Sequence, residues 1–146
     1  MVVRLSPAQV WRTRIPRYRL VGRECRACGR RHYPPRPRCP YCGSGDLVDV
    51  ELPRRGVVET YTVIYTVMEG FRDRAPLPLA VVRLDDGTRV VAPLTDVELS
   101  ELRTGMRVEA VLRRIRVDGD TGLIGYGVSF RPVLFEERRG GGSGER

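Results

Sequence analysis

The chain has 146 residues, enough for one ordinary domain or two small ones, and no apolar run approaches the roughly 20 residues that a bilayer-crossing helix needs, so a soluble protein is expected. Lysine is absent: all 26 basic residues are arginine, against 18 acids, for a formal net charge of +8. Residues 1–42 hold eleven arginines and a single acid, Glu24, whereas residues 43–135 hold twelve arginines and fourteen acids, so the basic surface belongs to the N-terminal third and suits a polyanion, a phosphorylated cofactor or an acidic protein face.

In chain order, Ser6-Pro7 reads as an N-cap followed by proline at the first helical position. Pro16 is expected to limit that helix to two or three turns, with Val10 and Trp11 on its apolar side. Trp11 suits a partner-facing anchor and packing of the helix on the ribbon equally well. Residues 17–24 are too short and Gly-interrupted for a helix and predict a first strand. They lead into Cys25-Arg26-Ala27-Cys28-Gly29, echoed by Cys39-Pro40-Tyr41-Cys42-Gly43. Two thiols two residues apart can be presented by one tight turn to one tetrahedral ion, and two such knuckles separated by ten residues define a rubredoxin-like, four-cysteine zinc ribbon. The glycine after each second cysteine fits a positive φ.

The competing reading of the cysteines is two disulfides. The chain opens Met1-Val2-Val3-Arg4-Leu5-Ser6-Pro7, without the basic segment and apolar run of a secretory leader; a cytoplasmic, reducing location is therefore expected, which favours thiolate and metal. Four sulfurs fill the tetrahedron, so the zinc is expected to be structural. His32, the only histidine, lies near Cys28 in the basic, proline-rich segment between the knuckles, and the complete cysteine set leaves it no ligand place.

After the second knuckle, Leu47 to Leu52 alternates apolar and polar residues and should close the ribbon. Pro53-Arg54-Arg55-Gly56 is turn chemistry and marks the boundary between a helix-and-ribbon unit, residues 1–53, and a β unit, residues 54–135. Strands are predicted over 57–67, 77–84, 88–94, 106–117 and 123–130, with a hairpin turn at Asp85-Asp86-Gly87 and a short helix over 96–102. The fold class is therefore mostly β: a short helix and zinc ribbon followed by five strands in the order of an OB-fold barrel. The Gly-rich tail, residues 136–146, is expected to be disordered. Tyr61 and Tyr65 share one strand face, where they could stack bases or pack beneath the ribbon.

With four thiols committed to metal, no phosphate loop and no serine elbow, no catalytic constellation is legible, and a self-sufficient enzyme is not expected. Trp11-Arg12, residues 17–22, the two knuckles, Tyr33-Pro34-Pro35-Arg36, Gly56-x-Val58 with Tyr61-Thr62-Val63, and Gly105-Met106-x-Val108 together resemble the DUF35 family of zinc-ribbon OB-fold proteins. The resemblance covers roughly residues 6–135. It implies a non-catalytic accessory subunit that binds thiolase-like enzymes acting on acyl-CoA. In archaea such proteins are similar to the bridge between acetoacetyl-CoA thiolase and HMG-CoA synthase in the mevalonate pathway, and the family is also regarded as acyl-CoA binding. Trp11, Arg17, Tyr18, Arg19, Arg36 and Arg38 are the residues expected to meet CoA or a partner, the four arginines as one positive surface. The alternative is a nucleic-acid-binding module, a use to which ribbons and OB folds are both put.

Overall fold

Pro7 starts the first helix as its position requires, and the segment that follows departs from the expected single helix. A computed structural model describes residues 6–134. In it α1 (Pro7–Arg12) and α2 (Arg14–Arg19) are separated by Thr13 alone. Ser6 occupies the N-cap in extended conformation but makes no side-chain cap bond. Pro16 does not end the helical stretch. It is the third residue of α2, where an amide has no intrahelical acceptor to lose, so proline is tolerated in that first turn.

The first strand is correspondingly shorter than residues 17–24: β1 is Val21–Cys25, because Arg17 to Arg19 complete α2. Leu20 makes the corner in the left-handed region, φ 53 and ψ 51. That conformation costs a branched residue about 1–2 kcal/mol. Leu20 is fully buried, a gain of about 1.5–3 kcal/mol for a side chain of its kind, and its carbonyl accepts the Leu52 amide at 3.1 Å. Packing thus outweighs the strain.

β2 (Arg31–His32) and β3 (Leu47–Glu51) flank β1 in an antiparallel sheet, running from Val21 opposite Glu51 to Cys25 opposite Leu47. A second sheet has the order β6-β5-β4-β7-β8, with β4 Arg55–Ile64, β5 Leu77–Leu84, β6 Arg89–Pro93, β7 Arg107–Val117 and β8 Ile124–Pro132. Every pairing along it is antiparallel, and one parallel bridge, Leu94 to Phe130, brings its ends together, with the Thr95 amide donating to the Phe130 carbonyl at 2.8 Å. Register shifts at Val58/Thr60 and Arg114/Arg116 bend the two long strands, as closure of so small a barrel demands. Gly56 marks a close approach: a β-carbon there would lie 2.5 Å from the Arg83 carbonyl oxygen.

The helix expected over residues 96–102 is instead a single 3-10 turn, Leu99–Glu101. Asp96 has φ 55, not the extended backbone of an N-cap, and its carboxylate is engaged by Arg113 at 2.8 Å. The core joins Val58, Val82, Val108 and Phe130 of the barrel to Leu20 and Leu52 of the N-terminal unit in one cluster. Ribbon and barrel therefore share a hydrophobic core. The tail expected to be disordered, residues 136–146, lies outside the described residues.

Candidate metal centre and the faces around it

Both knuckles are built the same way. In the first, the Cys25 amide donates to the Arg30 carbonyl at 2.9 Å and the Gly29 amide returns to the Cys25 carbonyl at 2.7 Å; in the second, Cys39 donates to Ser44 and Gly43 to Cys39, both at 2.9 Å. Gly29 and Gly43 have φ 73 and φ 76, the left-handed conformation their type favours. An amide bond from Arg26 to the Asp46 carbonyl, 3.0 Å, ties the first knuckle to the segment after the second.

The result is four free thiols with all sulfurs within 4.8 Å of one another. Cys25 and Cys42 approach to 3.5 Å and Cys28 and Cys39 to 3.7 Å. A tetrahedron of Zn–S bonds of about 2.3 Å has edges of about 3.8 Å, so the donor set fits one such ion. Cys25 and Cys39 are buried, while Cys28 and Cys42 face outward. The Cys28 amide lowers the Cys25 thiol against the opposing effect of burial. Burial would raise Cys39, but the amides of Cys42 and Tyr41 and the neighbouring thiols bring it down to about 7. The Ser44 amide lowers Cys42, yet hydrogen bonding with Cys25, burial and the other two thiols carry it up to about 12. The cluster therefore lowers Cys25 and Cys39 and raises Cys42, and a bound cation would displace the remaining thiol protons.

His32 does not belong to this cluster. It is buried, and neither ring nitrogen has a hydrogen-bond partner. Burial first, and then the charges of Arg36 and Arg23, hold its pKa below the ordinary 6.5. The sign follows from linkage: the unfolded chain binds the proton more readily, so the contribution of neutral His32 is complete above about pH 6.5 and is lost as pH falls from there toward the folded pKa. Thermal midpoints in zinc-saturated buffer are expected to fall more steeply below pH 6.5 for the wild type than for His32→Phe. Equal slopes would contradict this account of the buried ring.

The basic residues occupy several places. Arg17 lines a cleft of about 310 Å³ together with Tyr33, Phe71, Val91, Tyr126 and Val128, at the side where the barrel's end strands β6 and β8 meet. Arg36 and Arg38 line a separate depression beside Gly45. Arg19 pairs with Glu51 at 3.0 Å. Tyr18 is half-buried on α2, and Trp11 is 65% exposed. Tyr61 donates its hydroxyl to the Leu102 carbonyl at 3.1 Å, and Tyr65 stands exposed rather than packed beneath the ribbon.

Three residues that sequence reasoning passed over also shape these faces. The Arg14 guanidinium lies 3.6 Å from the Trp11 ring centroid; the i, i+3 spacing was a usable signal for it. Arg31 bridges Glu24 at 2.6 Å and Asp86 of the β5–β6 hairpin at 3.2 Å, joining ribbon to barrel. Arg30 stacks on Tyr41. Neither of the last two contacts has a local sequence signature.

A four-thiol ribbon packed on an OB barrel through a common core is the class that fold and site define. Comparison with known proteins gives the family. Residues 12–48 match the rubredoxin-like zinc ribbon domain of ChsH2 and residues 49–113 its C-terminal OB-fold domain. A DUF35 domain-containing scaffold protein of Pyrococcus furiosus is 42% identical over 90% of this chain and 98% of its own. Benzoylsuccinyl-CoA thiolase subunit BbsA of Geobacter metallireducens is 33% identical over 69% of this chain and 66% of its own. Among solved structures, a chain of the Ltp2-ChsH2(DUF35) aldolase superposes with a TM-score of 0.63 at 30% identity, covering 90% of this chain and 98% of that one. The chain belongs to the DUF35 family of zinc-ribbon OB-fold proteins.

Proposed function

We propose that the protein is a scaffold subunit without chemistry of its own, which holds one structural zinc ion on Cys25, Cys28, Cys39 and Cys42 and binds a thiolase-like enzyme acting on acyl-CoA. The observation that carries this reading is the kinship along 90% of the chain with a protein named as a scaffold. The relatives named as a thiolase subunit and an aldolase support the choice of partner. In its finest form the proposal places the chain between acetoacetyl-CoA thiolase and HMG-CoA synthase. Should CoA reach this chain, Arg17 at the cleft and Arg36 with Arg38 are the planar donors suited to its phosphates.

The lack of chemistry is argued from the residues. The cysteines are gathered into one cluster, and the ring of the only histidine is buried without a hydrogen-bond partner, so among the described residues no cysteine–histidine pair is set up as nucleophile and base. Zinc would neutralise thiolate charge and cross-link the two knuckles. Purified, zinc-replete protein is expected to show no thiolase, synthase or thioesterase turnover. Turnover that stays with the chain through further purification would overturn the assignment.

Nucleic-acid binding is the second reading, supported by a sequence pI near 10.0. Tyr61 gives it little support, since its hydroxyl is tied to the Leu102 carbonyl and its ring does not stand free as a stacking platform. Fluorescence anisotropy with single-stranded DNA at physiological salt is expected to give no dissociation constant tighter than the roughly 10⁻⁴ to 10⁻⁶ M of non-specific binding. Nanomolar binding with a steep salt slope would favour the second reading.

A further inference from the structure

We propose that α1 and α2 form the docking surface for the partner enzyme, with Trp11 as the anchor and an acidic patch surrounding an apolar recess as its complement. The inference rests on the scaffold reading above. Each helix has six residues and neither buries a single one, whereas isolated helices shorter than about 12–15 residues are marginal in water. Two of their large apolar side chains are left outside: Trp11 on α1 is 65% exposed and Ile15 on α2 47%.

The indole is held ready. Arg14 stacks over it and donates to the Trp11 carbonyl at 2.8 Å, so part of the ordering cost of binding is met before the partner arrives. Charge selects what that partner presents. No acid precedes Glu24 in the sequence. Arg19, Arg23 and Arg31 each have a carboxylate within 3.1 Å, but among the described residues Arg12, Arg14 and Arg17 form no ion pair. Positive charge without an acidic partner therefore lies over the exposed indole at Arg14 and next to it in sequence at Arg12, and it calls for carboxylates opposite.

Exposed apolar groups on the barrel, such as Tyr65 at 72%, belong to the part of the chain where acids outnumber arginines and lack this complement. Nucleic acid could use the arginines but gains nothing from Ile15. One indole and one isoleucine on six-residue helices are also too little apolar surface to anchor a protein on a membrane. An acidic protein face uses all of these groups.

The test uses the full-length, zinc-replete protein and the thiolase-like enzyme that co-purifies with it from its source organism. Trp11→Ala is expected to weaken that complex at least about thirtyfold, the size of an interface hot spot. Arg12→Glu with Arg14→Glu should slow association and reduce its salt dependence, and Tyr65→Ala should change nothing. Trp11 is the only tryptophan, so 5-fluorotryptophan placed in this chain alone should shift its ¹⁹F resonance on complex formation. Wild-type affinity in the Trp11→Ala and charge-reversed proteins, or an unmoved resonance in a formed complex, overturns the docking inference and leaves the scaffold reading standing. If the wild type binds no such enzyme, both fall. If the same substitutions abolish tight binding to single-stranded DNA or anionic vesicles instead, the surface serves another ligand and the inference is wrong.

Discussion

Serine in place of Cys25, Cys28, Cys39 or Cys42 is expected to abolish zinc retention and unfold the N-terminal third of the described chain. The sheet of β1, β2 and β3 buries little of its own: Leu20 and Leu52 face the shared core, and the other buried apolar side chains near it are the cysteines Cys25 and Cys39. Structural zinc sites in small peptides contribute about 10–16 kcal/mol at neutral pH, far more than burial of two leucines at about 1.5–3 kcal/mol each. The knuckles therefore depend on the ion. Hydrogen exchange should show fast amides across residues 21–51 in the serine variants and after chelation, with β4, β5, β7 and β8 still protected. Retained protection in the ribbon without metal, or mass spectrometry finding two disulfides, would sink this expectation.

The second large effect is expected at Phe130. Its ring is fully buried, it is the largest side chain so placed, and its backbone forms the parallel closure with Leu94. Truncation to alanine removes a ring's worth of contacts where rigid strands surround the gap on several sides, a change that typically costs about 3–5 kcal/mol. A domain of ordinary stability has about 5–15 kcal/mol in total, so Phe130→Ala should leave the barrel marginal. Urea unfolding should report an extrapolated stability lowered by that amount, with the midpoint shifted down in proportion and the denaturant slope little changed. A loss below about 1 kcal/mol would mean that the barrel closes without this ring.

Local chemistry was legible in the sequence. Cysteine spacing announced the two knuckles because a metal knuckle is decided within five residues, and β5 covers Leu77–Leu84, the bounds expected from its run of β-forming residues before the Asp85-Asp86-Gly87 turn. Three misreadings have a common cause. Pro16 stands at the head of a second helix, which in one dimension looks the same as a stop; Leu20 enters the left-handed region only because the shared core rewards it; Asp96 resembles an N-cap but is claimed by Arg113 of β7. Each is settled by a neighbour distant in sequence. The arginines were expected to share one face, and which of them do is likewise set by folding: Glu51 engages Arg19 across the ribbon sheet, and the barrel cleft takes Arg17.

The proposed role of this chain is to hold an acyl-CoA enzyme. The most direct measurement is affinity capture of the tagged, full-length protein from extract of its source organism at low salt, followed by mass spectrometry and quantification of chain stoichiometry. A thiolase-like chain is expected in fixed ratio with this one, released as ionic strength rises and the Debye length falls below about 10 Å. Recovery of only ribosomal or nucleic-acid-processing proteins, with no acyl-CoA enzyme at any salt, would contradict it.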